Sequence, residues 1–131
     1  MSSEIPKSHT FSIASHINPH TIPEGKGPEE GKPFGEKYSG SFTVRRPNLA
    51  DKQLIATKKA AVLSTHGYVN PELISQSLQL TIYIFAFMTT VSTTSLPDWF
   101  NPEKMYTETD EYAVFAVWEE VSRWLKESFP A

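Results

Sequence analysis

Histidines are the side chains of this sequence best suited to metal or acid–base chemistry, and three of the four lie near the N-terminus, at His9, His16 and His20. Imidazoles bind zinc when several of them converge on a rigid framework. His16 and His20 have the spacing of neighbours on one helix face, but Pro19 stands between them and disfavours that helix. We therefore expect three solvated imidazoles, no metal site and no cofactor.

The other side chains that catalyse reactions are absent or dispersed. The chain has no cysteine, which excludes a thiol nucleophile, disulfides and thiolate metal ligands. No phosphate-binding loop, dinucleotide fingerprint, HExxH pair or GxSxG elbow occurs. The acidic neighbours Glu119 and Glu120 fall on a predicted helix, where adjacent residues do not face each other. These observations predict a protein that is not an enzyme.

Size and charge limit the remaining classes of function. A chain of 131 residues has room for one domain, and its net charge of −3 offers no basic field for a nucleic acid. The N-terminus lacks the basic and apolar segments of a secretory signal. The most apolar stretch, residues 82–88, is far shorter than the roughly 20 residues that span a membrane. We expect a cytoplasmic protein that binds other proteins, not nucleic acid or membrane.

Residues 1–37 have a composition that disfavours regular structure, because they contain five of the ten prolines and four of the six glycines. This segment is predicted to be an extended arm, and residues 38–131 a helical domain. Either the arm docks on a neighbouring subunit through separated apolar anchors, or it is a disordered tail with stray apolar residues. The anchors would be Phe11, Ile13, Ile17 and Ile22.

Residues 41–46 predict one short strand, because Phe42 and Val44 alternate with polar residues. A single strand is not stable alone. It has to pair with the arm, with a hairpin formed by the arm, or with another subunit, and the last option makes it a binding edge. Arg45 and Arg46 begin the only basic concentration of the chain, which is either a solvated surface or a contact for an acidic partner.

Three helices are predicted after the strand, each from a start signal followed by apolar residues at helical spacing. They cover residues 49–66, 71–93 and 109–128, and the second is expected to be the central, most buried helix. The predicted fold class is therefore mainly α, a three-helix domain with one short strand and an extended Pro/Gly-rich N-terminal arm. The predicted core consists of Leu54, Ile55, Leu63, Leu78, Ile82, Phe85, Met88, Phe115, Trp118 and Val121.

Two large aromatic residues, Trp99 and Phe100, lie in a segment that Pro97 and Pro102 prevent from being helical throughout. Aromatic side chains dominate both protein cores and interface hot spots. The pair therefore either closes one end of the helical bundle or forms an exposed anchor for a partner.

Three stretches of the sequence resemble one protein family when they are taken in order. They are YSGSFTVRRPNLADKQLIATKKAAVL at residues 38–63, LPDWFNPEKMY at 96–106 and AVFAVWEEVSRWLKESF at 113–129. This succession is similar to that of the tail assembly chaperones of tailed bacteriophages. The resemblance covers residues 38–129, and the arm lies outside it. A departure from the family pattern is the polar end predicted for the second helix, at residues 89–94.

The resemblance implies a small helical phage morphogenesis protein without an active site, which binds the tape-measure and tail-tube proteins in the host cytoplasm. The alternative is a structural component of the virion, a head, neck or tail ring or decoration protein, held to neighbouring subunits by its N-terminal arm. Either role implies phage structural proteins as partners, and we expect a homo-oligomer. The arm and the strand would form the interaction surface, so deletion of residues 1–36 is expected to leave the helical domain folded.

Overall fold

The computed structural model of the protein describes residues 8–65 and 75–129. Four short strands precede three helices. The strands are β1 (Ser8–Phe11), β2 (Ile17–Asn18), β3 (Lys32–Pro33) and β4 (Phe42–Arg45), and the helices are α1 (Leu49–Thr65), α2 (Gln76–Val91) and α3 (Glu108–Ser128). β1 pairs antiparallel with β4, and β2 pairs antiparallel with β3. The prediction of a mainly α fold is confirmed.

The first and third helices begin at reciprocal capping contacts. At α1, Asn48 Oδ1 accepts from the amide of Asp51, and Asp51 Oδ2 accepts from the amide of Asn48, both at 2.8 Å. At α3, Thr107 and Asp110 repeat the arrangement at 3.1 and 3.0 Å. Each reciprocal pair of hydrogen bonds is a capping box, and it satisfies amides that the first helical turn leaves without partners. The predicted starts of these two helices are therefore correct to within one residue.

The bounds of α2 differ from the predicted 71–93. The expected start signal at residues 70 and 71 lies outside the described residues, as does His66. Ser75 has extended backbone angles, and its hydroxyl accepts from the amide of Leu78, so the described helix begins at Gln76. The helix ends at Val91, because Ser92 is extended and the amide of Thr93 donates to the carbonyl of Thr43 at 2.9 Å. Residues 92 and 93 of the predicted helix thus leave the helix and contact β4, whereas Thr89 and Thr90 stay in it.

The described part of the arm is folded onto the rest of the chain. β1 forms a four-residue ladder with β4, and Ile13 has no exposed surface. The expectation of an arm without regular structure, separate from the helical domain, is therefore wrong for residues 8–37. Composition disfavours structure within the arm itself, but pairing with β4 satisfies the arm's backbone groups and the core buries its apolar side chains.

The core lies between the β1–β4 ladder, the C-terminal half of α2 and α3. Among the predicted core residues, Ile55, Met88 and Val121 are buried, whereas Leu54 and Leu78 are exposed. The buried residues of α2 all lie between positions 84 and 91, so its first half is not central. The remaining predicted core residues are partly buried, namely Leu63, Ile82, Phe85, Phe115 and Trp118.

In the two described ranges, no helix has both the length and the apolar character needed to cross a bilayer.

Candidate partner-binding surface

Four residues predicted to bind a partner are buried in the chain's own core. They are Ile13, Phe42, Val44 and Phe100, and none exposes more than 4% of its surface. Phe100 packs against Phe42 and Phe85, with ring centroids 5.3 and 4.6 Å away. Ile13, Phe42 and Val44 cannot touch a partner without leaving the core, whereas Phe100 also lines the groove described below. The interface expectation is wrong for Ile13, Phe42 and Val44, because apolar residues of this kind are equally compatible with an internal and an external contact.

Phe11 and Trp99 are partly buried and also make internal contacts. Phe11 stacks on Phe42 with ring centroids 5.2 Å apart. The indole nitrogen of Trp99 donates to the carbonyl of Ser39 at 2.9 Å, and its ring packs edge-on against Tyr38. The aromatic loop therefore closes the core, which was one of its two predicted roles.

Ile17 and Ile22 lie close together over Gly31. A Cβ atom at Gly31 would lie 2.5 Å from Ile17 Cγ2 and 2.8 Å from Ile22 Cγ1, so only glycine fits beneath them. Ile17 keeps 37% of its surface exposed. The two anchors thus hold the arm's own turn together, and Ile17 is the more accessible.

Both edges of β4 are occupied within the chain. β1 covers one edge through the pairs from Ser8–Arg45 to Phe11–Phe42. On the other edge Val44 forms a bridge with Ser92. The prediction that this strand offers an edge to another subunit is therefore wrong. The strand pairs with the arm instead, which was the first of its predicted alternatives.

Arg45 is an internal ion-pair partner. Its guanidinium donates to both carboxylate oxygens of Asp51, with Nη2 2.9 Å from Oδ1, and also to the carbonyl of Thr90 at 3.4 Å. The hydrogen bonds from Arg45, helped by the amide of Asn48, lower the pKa of Asp51 to about 2. Arg46 is exposed and covers the ring of Phe129 at 4.4 Å. Arg46 is the member of this pair that remains available to a partner.

A buried carboxylate, Asp110, ties the arm to α3. Tyr38 Oη donates to it at 2.7 Å, the amides of Tyr106 and Thr107 donate at 2.9 and 3.0 Å, and Lys37 Nζ lies 3.2 Å away. Burial by itself raises the pKa of Asp110, but these hydrogen bonds outweigh it and hold the pKa well below its ordinary value. The carboxylate is saturated with donors, so its role is structural.

His9 is not the solvated imidazole predicted from the sequence. Its ring stacks on Trp124, with centroids 5.3 Å apart, and Nε2 lies 2.8 Å from Glu120 Oε2. His20 is more exposed and lies 5.8 Å from the Tyr112 ring. Across residues 8–65 and 75–129, no three His, Asp or Glu side chains converge as metal ligands. His9 thus fastens β1 to α3.

An apolar groove of about 1080 Å³ lies between α1, α2 and residues 96–104. Val62 of α1 and Leu78 of α2 form its sides, and Phe85 and Phe100 lie at its base. Its other apolar lining residues are Ala61, Ile82, Ala86, Leu96, Pro97 and Pro102. The groove has a mostly apolar lining, and it defines the candidate partner-binding surface.

Charges of both signs surround the groove. Lys58 lies on the α1 side, and its Nζ donates to the hydroxyls of Thr89 and Thr90 at 3.1 and 2.9 Å. Asp98, Glu103 and Lys104 belong to the opposite loop. An apolar base with a polar rim is the usual composition of a protein-binding site.

The groove was not predicted from the sequence, because Leu78, Ile82 and Phe85 were assigned to the core. One available signal was that residues 73–97 contain no charged side chain. A segment that long and uncharged has apolar residues on all sides, and the elements that pack on α2, including α1 and α3, do not bury them all.

Comparisons with protein-family models, with curated proteins and with solved structures found no match for this chain. Its fold and groove define a small, mainly α protein with a candidate protein-binding surface.

Proposed function

We propose that this protein is a non-enzymatic phage morphogenesis protein, similar to the tail assembly chaperones, and that it binds tape-measure and tail-tube proteins through the groove. The observation that supports this function best is the groove itself, about 1080 Å³ of mostly apolar concavity on the surface of a small protein. Small-molecule sites usually measure about 300 to 1,000 Å³. The volume of the groove lies just above that range, and an open groove of this size can hold a segment of a protein.

The groove favours an amphipathic helix as the bound segment. Two helices and a loop form its walls, and a helix presents apolar anchors at spacings that fit such a groove. Completing the burial of a side chain that is one-third exposed, such as Val62 or Leu78, contributes roughly 0.5 to 1 kcal/mol. Several such contacts give the modest affinity that a chaperone needs if it is to release its partner.

The alternative function, a virion component held by its N-terminal arm, has less support. Residues 8–11 pair with β4 and Ile13 is buried, so this part of the arm would have to leave the core before it could reach a neighbour. Mass spectrometry of purified particles separates the two functions. Stoichiometric presence would favour the virion component, whereas absence from particles, together with loss of tails when the gene is deleted, would favour the chaperone.

Two substitutions on α2 provide a matched test of the groove. Leu78 and Leu80 are each 37% exposed, but only Leu78 lines the groove. Each variant would be co-expressed with affinity-tagged tape-measure or tail-tube protein of the same phage. The amount of the variant that the tagged protein retains would be measured. We expect Leu78→Lys to weaken binding by about tenfold or more, which corresponds to about 1.4 kcal/mol, and Leu80→Lys to change it less than about twofold.

Both variants should retain the far-ultraviolet circular dichroism of the original protein, since both side chains are already partly solvated. If Leu78→Lys and Leu80→Lys bind equally well, the groove is not the binding site. If neither tagged phage protein retains the original protein, the proposed partners are wrong.

A further inference from the structure

One cation at the edge of the groove is held in place without being neutralised. Lys58 Nζ donates to Thr89 Oγ1 at 3.1 Å and to Thr90 Oγ1 at 2.9 Å. Both hydroxyls donate their own hydrogen to backbone carbonyls of α2, at Phe85 and Ala86, so their oxygens can accept from the ammonium group. Among the described residues, no carboxylate forms an ion pair with Lys58. Its charge therefore remains available to a bound molecule.

The ammonium group of Lys58 also keeps one hydrogen-bond donor. A lysine side chain has three N–H donors, and Thr89 and Thr90 accept from two of them. The third has no acceptor within residues 8–65 and 75–129. A carboxylate is the acceptor that suits it best, because hydrogen bonds between oppositely charged groups are shorter and stronger than neutral ones. Lys58 thus offers both a charge and a directed donor at the groove.

The opposite wall of the groove carries the opposite sign. Asp98, Glu103 and Lys104 line it, with a net charge of −1, and none of them forms an ion pair with a described residue. The helix α2 contributes no charge, since residues 73–97 contain no charged side chain. The groove therefore has a basic side at α1, an acidic side at the loop and an uncharged base between them.

The base of the groove is one face of α2. The α2 residues that line it are separated by three or four positions, which is the spacing of a single helix face. They are Leu78, Thr81, Ile82, Phe85, Ala86 and Thr89. From the first to the last, α2 rises about 16 Å, a length that three turns of a second helix would match. Lys58 contacts the last of these residues, so the cation lies at one end of the groove.

We propose that the groove binds an amphipathic helix of about three turns that carries an acidic side chain on the flank facing α1. The carboxylate accepts the remaining hydrogen bond of Lys58, and apolar side chains of the helix cover Phe85 and Phe100. A basic side chain suits the other flank, beside Asp98 and Glu103. This inference rests on the proposed use of the groove, and it adds the charge pattern by which the groove selects a helix.

The charges of the groove act mainly on selection. Complementary charges at the rim of an interface contribute more to specificity than to affinity, and like charges placed together are unfavourable. A helix with basic side chains on both flanks would place one of them beside Lys58. A helix with acidic residues on one flank and basic residues on the other avoids this repulsion. Two helices with the same apolar face are therefore distinguished by their flanks.

Two synthetic peptides of about 14 residues test this charge pattern. Both carry leucines at the same helical spacing. The mixed peptide has glutamates on one flank and lysines on the other, and the basic peptide has lysines on both flanks. Fluorescence anisotropy of the labelled peptides would be measured with the full chain at low salt, where screening is weak. We expect the original protein to bind the mixed peptide about fivefold more tightly than the basic peptide.

Substitutions of Lys58 test whether this residue causes the preference. Lys58→Glu should reverse it, so that the basic peptide binds more tightly. Lys58→Gln should abolish it, and because glutamine can still donate to the threonine hydroxyls, this variant stays informative if the charge reversal lowers the melting temperature. The matched control is Lys59→Glu, which makes the same change in net charge at a neighbouring residue that does not line the groove. It should retain the original preference.

Three results would overturn the inference. They are equal changes of preference in Lys58→Glu and Lys59→Glu, an unchanged preference in Lys58→Gln, and failure of both peptides to bind the original protein. The proposed function has a separate test, which is retention by the tagged phage proteins. Retention without a peptide preference would overturn this inference alone, whereas a peptide preference without retention would overturn only the proposed partners.

Discussion

Replacing Ile13 by alanine tests whether the arm belongs to the core. Ile13 has no exposed surface and lies in the same cluster as Phe42 and Val44 of β4. An arm that only docked on a neighbour would leave the free energy of unfolding of the isolated chain unchanged after this substitution. If the arm completes the core, the substitution lowers that free energy of unfolding.

The expected loss follows from the atoms removed. Isoleucine has three more carbon atoms than alanine, and each buried methylene group is worth about 0.8 kcal/mol, so the transfer part is about 2.4 kcal/mol. The cavity left behind adds to this value, and measured losses for such substitutions are about 2 to 5 kcal/mol. We therefore expect Ile13→Ala to lower the free energy of unfolding by about 2.5 to 4 kcal/mol.

The measurement is urea unfolding followed by tryptophan fluorescence, with circular dichroism as a second probe. Ile17→Ala is the matched control, because Ile17 belongs to the same arm and is 37% exposed. It should cost about 1 kcal/mol or less. A loss below about 1 kcal/mol for Ile13→Ala, with an unchanged dependence on urea, would refute the conclusion that the arm completes the core.

Two further substitutions test single contacts of the fold. Asp110→Asn should cost about 2 to 4 kcal/mol at pH 7, because it removes a charge that accepts hydrogen bonds from Tyr38 and from two amides. Since the folded-state pKa of Asp110 lies below its ordinary value of 3.8, its contribution is complete above pH 4 and is lost as the pH falls further. The variant should therefore lose less stability in acid denaturation than the original protein, and parallel acid profiles would contradict this assignment. Gly40→Ala should cost about 1 to 3 kcal/mol in urea unfolding, because Gly40 has φ +114° and a Cβ atom there would lie 2.9 Å from Pro97. Gly25→Ala has free space around the added carbon and should cost less, so equal losses would exclude the clash with Pro97 as the cause.

The position of the arm also changes what a truncation would do. The composition of the arm predicted that deletion of residues 1–36 leaves the helical domain folded. That deletion removes β1, which covers one edge of β4, and Ile13, which fills the core. The truncated chain would expose unpaired backbone groups and apolar surface, so loss of partner binding by that variant would be no evidence for a binding role of the arm.

The end of α2 shows how distant residues supply what its own sequence lacks. Its last turn contains no basic residue. Lys58 from α1 and Arg45 from β4 approach Thr89 and Thr90 there, and Arg45 donates to the Thr90 carbonyl. Positive charges are favourable at a helix C-terminus. The helix is therefore stabilised by contacts that its own residues did not predict.

The sequence by itself determined where α1 and α3 begin and where β4 lies. The capping pairs Asn48–Asp51 and Thr107–Asp110 act within one helical turn, so their residue types sufficed to predict where α1 and α3 begin. The alternation of Phe42 and Val44 likewise sufficed to predict β4. The capping hydrogen bonds involve residues only a few positions apart. The prediction of the helix starts and of the strand therefore did not depend on knowing the rest of the fold.

Only the tertiary structure decided which apolar surfaces are covered. Ile13 and Leu78 are both apolar residues in plausible segments, but the first is buried beside β4 and the second lines an open groove. Their burial depends on which distant element packs over them. The hydrophobic effect is non-directional, so a local sequence pattern does not specify that element. The groove exists because α1 covers only part of the uncharged surface of α2, so the candidate binding site depends on how the two helices pack.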